Sequence, residues 1–537
     1  MELFFSQFHL IRPAWLFALI PAIILFIFLL KRRLASARSV AASAHRAAGR
    51  VRALSGSAGH PARRHRRADA ARAFGQRYEI DTAAKLIKRL LILAGSDPQI
   101  RLLAGQTLRM IHRKDEAIPH LLAAAEHDST PPEVHLELAV LLERRHQLDE
   151  AHEHLNRYLS HDKESPEATL LKARILSRSQ RQEDAASVYH ELSERNGCTS
   201  FTKAQVLNEW ANMLDSQGDY RGAWDKLTRS KALLVELPET ATAQNRSITE
   251  QAWLNHLAES ITADHLNRWK DREPSTPHQS ILLTGCPRSG TTLIEKILDA
   301  HPEIVSADEL SAFTSYILPG LVKGRRDKDG SFDAETLENT PPAILQREEQ
   351  RYFRYLQSAL NEKIGQRILV DKNPSVTFMI PGYQRVWPNN KILYALRDPR
   401  DVAISCFFRW LPINSMSVRF HTMEDTFKRT SEELECWLRL RDRLPEDSWH
   451  ETRYENTVLD YSKESRSVLH WLGLDWDDSV SDYRAHMTKR GVNSPTYADV
   501  NKPIYQGSQE RWKNYEEFVT PHLGTVQSCA RHLGYEF

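Results

Sequence analysis

The chain reads as α plus α/β: an all-helical repeat array followed by a carboxy-terminal α/β domain with a parallel sheet, and one apolar helix of membrane length ahead of both. Three observations predict this. Small and apolar residues recur with a 34-residue period between residues 83 and 185. Past residue 279, apolar runs of strand length (ILLTG from 281, RILVD from 367, KILYALRD from 391) alternate with amphipathic stretches, the pattern of parallel strands and crossover helices. Residues 14–30 (AWLFALIPAIILFIFLL) carry no charge. At 537 residues the chain is long enough for several domains.

The apolar run holds 17 residues and rises about 25 Å, the short end for a membrane-spanning helix. Lys31, Arg32 and Arg33 follow it and only Arg12 precedes it. A cleaved signal peptide places its positive charge first, so a retained anchor is preferred over a signal or an amphipathic anchor. The positive-inside rule then makes this a single-pass membrane protein with its repeats and α/β domain on the cytoplasmic side. Residues 31–77 carry 13 Lys and Arg against one acid, Asp69. This stretch has no apolar periodicity and reads as a basic flexible linker, either resting on anionic headgroups or merely solvated. A net charge of +2 gives no support to nucleic-acid binding. Five cysteines, at 198, 286, 406, 436 and 529, lack metal-ligand spacing, and this odd, sparse set argues for a reducing compartment.

The repeat is in phase at several positions. Ala83, Ala117, Ala151 and Ala185 lie 34 residues apart, as do Pro98, Pro132 and Pro166, then Gly105, Ala139 and Ala173, then Leu102, Leu136 and Leu170. Ala211 and Ala223 continue the pattern with a 38-residue offset. Small residues where two helices cross, with proline opening the next unit, are the tetratricopeptide signature. Such units bury their apolar faces only by stacking into a curved solenoid, whose surface holds a polypeptide partner, packs on the next domain or self-associates. The expected division is an anchor at 1–33, the basic linker at 34–77, repeats at 78–238, a linker helix at 239–278 and the α/β domain at 279–537.

The chemistry concentrates in the last domain. Residues 281–298, ILLTGCPRSGTTLIEKIL, run from strand through a glycine-bounded loop into a helix, so backbone N–H groups and the helix dipole converge on an anion. Gly285-x4-Gly290 has P-loop spacing, but Thr291 stands where the P-loop lysine belongs, and Thr292 keeps the hydroxyl. That substitution points away from ordinary ATP chemistry. Further on, AHPEIVSADEL ends in the pair Asp308-Glu309, ILVDKNPS delivers Lys372 and Asn373 at a strand end, and LRDPRDVAISCFFRW places Arg397 at another. Ser405 and Arg409 are four apart, on one face of the helix after Pro399. Arg288, Lys372 and Arg397, each at a carboxyl strand end, imply a polyanionic ligand.

PRSGTTL, the AHP…E segment, DKNP and LRDPRDVAIS resemble the sulfotransferase family that uses 3′-phosphoadenosine 5′-phosphosulfate (PAPS). Their order is most similar to the tyrosylprotein sulfotransferases and to bacterial proteins with tetratricopeptide repeats ahead of such a domain. The resemblance implies that Arg288, Ser289, Gly290, Thr291 and Thr292 bind the 5′-phosphosulfate. It implies that Arg397 and Ser405, joined by Arg409, bind the 3′-phosphate and that Tyr454 lies near the adenosine. Glu309 matches the general base, with Asp308 as its rival, and Lys372 the residue that stabilises the bridging oxygen. Thr496 and Arg511 match a carboxy-terminal cofactor loop, although Arg511 stands where relatives have lysine, which changes the geometry. Arginine and lysine would neutralise the transferred group, so no metal site is implied. Catalysis would rest on Glu309, Lys372 and Arg288.

The expected partners are a hydroxyl-bearing acceptor (protein tyrosine, glycan or small molecule), a polypeptide held by the repeats, the membrane, and a second copy in a homodimer. Two other readings compete: a nucleotide kinase or NTPase with an atypical P-loop, and a non-catalytic scaffold that senses nucleotide. The missing lysine counts against the first, and the combination of Glu309 with Lys372 against the second. His301 reads as structural beside Pro302, and Cys286 as a small filler in the loop.

Overall fold

The computed structural model describes residues 69, 71–72 and 80–537, apart from 96, 112, 277, 311, 324–331, 361 and 491–505. The expected anchor at 14–30, nearly all of the basic linker, and Thr496 lie outside the described residues. Among the described residues no helix is long and apolar enough to cross a membrane. The chain divides into two compact bodies, Met1–Thr130 and Pro131–Phe537.

The first body contains helices α1 (Ile80–Ala94), α2 (Pro98–Met110) and α3 (Lys114–Ala125). Proline opens α2 at a position whose N–H needs no intrahelical partner, and the Asp97 carboxylate caps it by accepting from Gln99 N at 3.1 Å and Ile100 N at 3.3 Å. Gly105 is small for a stated reason: a Cβ there would stand 2.7 Å from the Leu121 side chain on α3.

The second body opens with three more helix pairs: α4 (Pro132–Arg144) with α5 (Leu148–His161), α6 (Pro166–Arg178) with α7 (Gln182–Glu194), and α8 (Ser200–Ser216) with α9 (Tyr220–Val235). Pro132 and Pro166 again sit in the first turn, and the periodic alanines 139, 151, 173, 185, 211 and 223 are fully buried. The expected linker is a long helix, α10 (Pro238–Ser260), and a short one, α11 (Ala263–Trp269).

The α/β part carries a five-stranded, all-parallel sheet of order β2-β3-β1-β4-β5. The strands are β1 (Ser280–Gly285), β2 (Ile304–Ser306), β3 (Ile368–Lys372), β4 (Lys391–Leu396) and β5 (Trp449–Arg453). Strand β1 is central and buried along its whole length, as a strand covered on both faces must be. Leu282 joins the core on one face, while Ile281 and Leu283 join that on the other. The helices that frame the site are α12 (Thr291–Leu298) after β1, α13 (Pro342–Leu360) before β3, α14 (Pro399–Phe408) after β4 and α15 (Met423–Arg441) before β5. Because every strand runs the same way, the segments after all five converge on one edge.

Candidate active site

The loop after β1 is shaped by backbone rather than by side chains. Gly285 has φ 145 and a Cβ there would strike the Ala395 carbonyl on β4. Gly290, with φ 92, caps α12, and a Cβ there would lie 2.6 Å from the Tyr454 ring. Between them Arg288 holds a left-handed conformation, φ 70, which is uncommon for a non-glycine residue. Its guanidinium Nε donates to Ser405 Oγ at 3.0 Å, so the loop after β1 and the helix after β4 are locked together.

Arg397 occupies the first position past β4. Its Nη1 donates to the Arg288 carbonyl at 3.0 Å, its guanidinium lies 4.6 Å from the centre of the Tyr454 ring, and Asp401 stands 3.8 Å away. Burial raises the Asp401 carboxyl to about 6, against the pull of Arg397. The structure therefore gathers Arg288, Ser289, Gly290, Thr291, Thr292, Arg397, Ser405 and Tyr454 around one loop. Ser289 Oγ and Arg397 Nε are both buried there without a hydrogen-bond partner. Two orphaned polar groups, two guanidinia and a helix N-terminus fit a ligand with well-separated phosphate-like groups.

On the other side of Thr292 lies a charged cluster. Lys372, fully buried at the end of β3, places Nζ 2.6 Å from Glu309 Oε1, 3.4 Å from Thr292 Oγ1 and 3.4 Å from Glu295 Oε2. Asp308, the rival base, is engaged instead by Lys296, whose Nζ lies 2.5 Å from its carboxylate. Burial by itself would lower the Lys296 ammonium, but Glu295, Asp308 and Asp299 together raise it. Glu295 is fully buried, its carboxyl is pushed up to about 7 by that burial despite Lys296 and Lys372, and the Ser306 hydroxyl donates to it.

Sequence reasoning missed Glu295, because an acid on an amphipathic helix looks like a surface residue. It also missed Asp401, which accepts from Trp512 N at 2.9 Å.

Arg409 and Arg511 are two further predicted ligands. Helix α14 ends at Phe408, and Arg409 is its C-cap, with a near-helical φ of −76 and a ψ of 133 that turns the chain away after it. Arg511 donates to Asp215 on α8 at 2.9 Å and stacks on the Phe408 ring at 4.5 Å, so its guanidinium serves packing against the last repeat. His301 and Cys286 match their structural readings. His301 uses both ring nitrogens structurally, toward the Asp475 carbonyl at 3.0 Å and the Glu303 amide at 3.1 Å. Cys286 is buried and its thiol is raised well above the usual range by that burial.

A model of the sulfotransferase family matches residues 280–478, and one of the tetratricopeptide repeat matches residues 112–175. An uncharacterized protein of Aquifex aeolicus is 26% identical over 341 residues, 60% of this chain; the match spans only 41% of that protein. Protein-tyrosine sulfotransferase 2 of Gallus gallus is 24% identical over 269 residues, 48% of this chain and 69% of its own length. Among solved structures, the sulfotransferase domain of the Synechococcus PCC 7002 olefin synthase is 21% identical and covers 50% of this chain and 98% of itself, with a TM-score of 0.36. Residues 280–478 of this chain, which hold the cradle and the Glu309–Lys372 pair, match the sulfotransferase family model, and a tetratricopeptide-repeat match precedes them.

Proposed function

We propose that the protein is an enzyme that moves the sulfuryl group of PAPS to an acceptor hydroxyl by in-line transfer, with Glu309 as general base. One observation carries the reading: the single ammonium of Lys372 touches both Glu309 and the loop hydroxyl of Thr292. The acceptor side and the phosphate side of a transfer site thus meet at one cation. PAPS supplies a sulfuryl group whose leaving group is a phosphate, so no covalent enzyme intermediate is needed. Glu309 takes the acceptor proton at a carboxylate oxygen, because an alcohol or phenol is a weak nucleophile until a positioned base engages it. Lys372, Arg288 and the loop N–H groups face the charge that develops between donor and acceptor. Arg397 and Ser405 would hold the 3′-phosphate, and Tyr454 would lie along the adenosine.

Calorimetry tests the cofactor assignment. Adenosine 3′,5′-bisphosphate (PAP) is expected to bind at least tenfold tighter than ADP, and Arg397→Ala to erase the difference, since a charged hydrogen bond contributes roughly 1.5–3 kcal/mol. Equal affinities in the wild type would overturn it. Protein tyrosine, a glycan and a small molecule are the acceptors this chemistry admits.

The same reading includes the domain boundaries at 33, 77, 238 and 278, a polypeptide partner on the repeats, a homodimer, and the anchor at 14–30 with the rest of the chain cytoplasmic. Carbonate extraction of membranes checks the anchor: full-length protein in the supernatant would remove it.

A further inference from the structure

A chamber of about 670 Å³ lies between helix α10 and the α/β domain. That is the size of a site for a compact organic ligand. Two of its wall residues follow the catalytic pair closely in sequence. Ser375, on its wall, follows Lys372 by three residues and is held in a left-handed turn, φ 69, where its N–H donates to the Gly285 carbonyl at 2.9 Å. Thr314, also on the wall, lies five residues beyond Glu309. The opposite wall comes from α10, which precedes the family-matched segment 280–478.

The chemistry of the walls is selective. Trp253 and Leu254 of α10, with Leu318, Phe378, Met379 and Met416, give it an apolar lining. The charged side chains around it are engaged within the protein. Arg419 pairs with Glu432 at 3.2 Å, Arg429 with Glu433 at 3.0 Å and with the Gln251 carbonyl oxygen, and Glu250 accepts from Ser415 at 2.5 Å. Lys323 is exposed at the edge. Neutral hydroxyls, of Ser247, Thr314, Ser315 and Ser375, supply further polar points. Apart from Lys323 at the edge, a ligand's own charges would lose water there without an ionic partner, and a hydroxyl on every carbon would outnumber the polar points.

We propose that this chamber is the acceptor site, that it takes an uncharged hydroxyl compound with an apolar, ring-sized body, and that α10 sets this selectivity from outside the family-matched segment. The inference rests on the sulfuryl-transfer reading and narrows its acceptor. Charged tyrosine peptides and sugars are the classes it excludes.

The test uses the full chain in detergent, saturated with PAP, titrated calorimetrically with 2-naphthol, with an acidic tyrosine-containing decapeptide and with N-acetylglucosamine. 2-Naphthol is expected to bind and the other two not. Ser315→Trp, an exposed position that would plug the chamber, is expected to weaken 2-naphthol at least tenfold, and Trp253→Ala several-fold. Unchanged PAP affinity in both variants confirms that they fold. Unchanged 2-naphthol affinity in both, absence of 2-naphthol binding, or binding of the peptide or sugar in its place, would overturn the chamber assignment. Failure of the wild type to bind PAP at all would instead overturn the sulfuryl-transfer reading, which separates the two failures.

Discussion

Lys372 Nζ stands 2.6 Å from Glu309 Oε1, a pair formed by residues 63 apart in sequence that reach each other from the ends of different strands. The same ammonium is the counter-ion of the fully buried Glu295, 3.4 Å away. Breaking a buried pair by deleting one partner strands the other charge, a cost of about 3–5 kcal/mol. At pH 8, where Glu295 is ionised, Lys372→Met is therefore expected to lower unfolding free energy in urea by about 3 kcal/mol, and adding Glu295→Gln to recover a substantial part of the loss. Strictly additive losses in that cycle would show that the two residues do not depend on each other.

Glu309→Gln keeps the shape of the pair and removes the base. The transfer rate is expected to fall by roughly 10²–10⁴-fold, the usual worth of a positioned base, with PAP affinity little changed because Glu309 lies beyond the phosphate cradle. Turnover measured with saturating PAPS decides. Near-normal rates would move the base to Asp308, and Asp308→Asn would then have to abolish transfer despite the engagement of that carboxylate by Lys296 at 2.5 Å.

Glu295 gives a pH signature. Burial raises its carboxyl from 4.5 to about 7. Between those values the native state holds a proton that the unfolded chain has released, so this group makes stability fall as pH rises from 4.5 to 7. Glu295→Gln removes that contribution. The difference in stability between the variant and the wild type is expected to move in favour of the variant from pH 5 to pH 7 and to level off above. A difference that stays flat over this window, measured by urea melts in matched buffers, would mean that Glu295 keeps its ordinary carboxyl behaviour.

The fold was legible where burial leaves a mark on composition. Strands β1, β3 and β4 are covered on both faces, so they appear as apolar runs, and the periodic prolines and alanines announce helix starts and close crossings. Strand β5, WHETR, is an edge strand with mostly half-buried residues and has no such run. The cradle was legible because its glycines are imposed by the backbone. Glu295 was not, since only tertiary structure brings Lys372 over it. The Arg511 contact was hidden for a similar reason: its partner Asp215 lies 296 residues away, on the last repeat.

That last repeat does more than cover the domain. Asn208 Nδ2 donates to the Phe408 carbonyl at 3.1 Å, Asn212 Nδ2 reaches the same oxygen at 3.4 Å, and Lys231 Nζ donates to the Arg409 carbonyl at 3.4 Å. These carbonyls finish α14, the helix that carries Ser405, where donors and positive charge are favoured. Lys231 is fully enclosed, and burial lowers its ammonium from 10.5 to about 7, with only a weak opposing pull from the Cys406 thiol. Between pH 7 and 10.5 the unfolded chain therefore binds a proton that the native protein lacks, and this group makes stability rise with pH. Lys231→Met is expected to abolish that rise: its melting temperature relative to wild type should be higher at pH 7 than at pH 9.5. Asn208→Ala, which uncaps the helix without touching charge, is expected to weaken PAP several-fold through Ser405 while leaving the pH dependence intact. If Asn208→Ala binds PAP as the wild type does, the repeat supports α14 without tuning the cofactor site. A melting difference for Lys231→Met that is equal at both pH values would show that the lysine stays protonated in its enclosure.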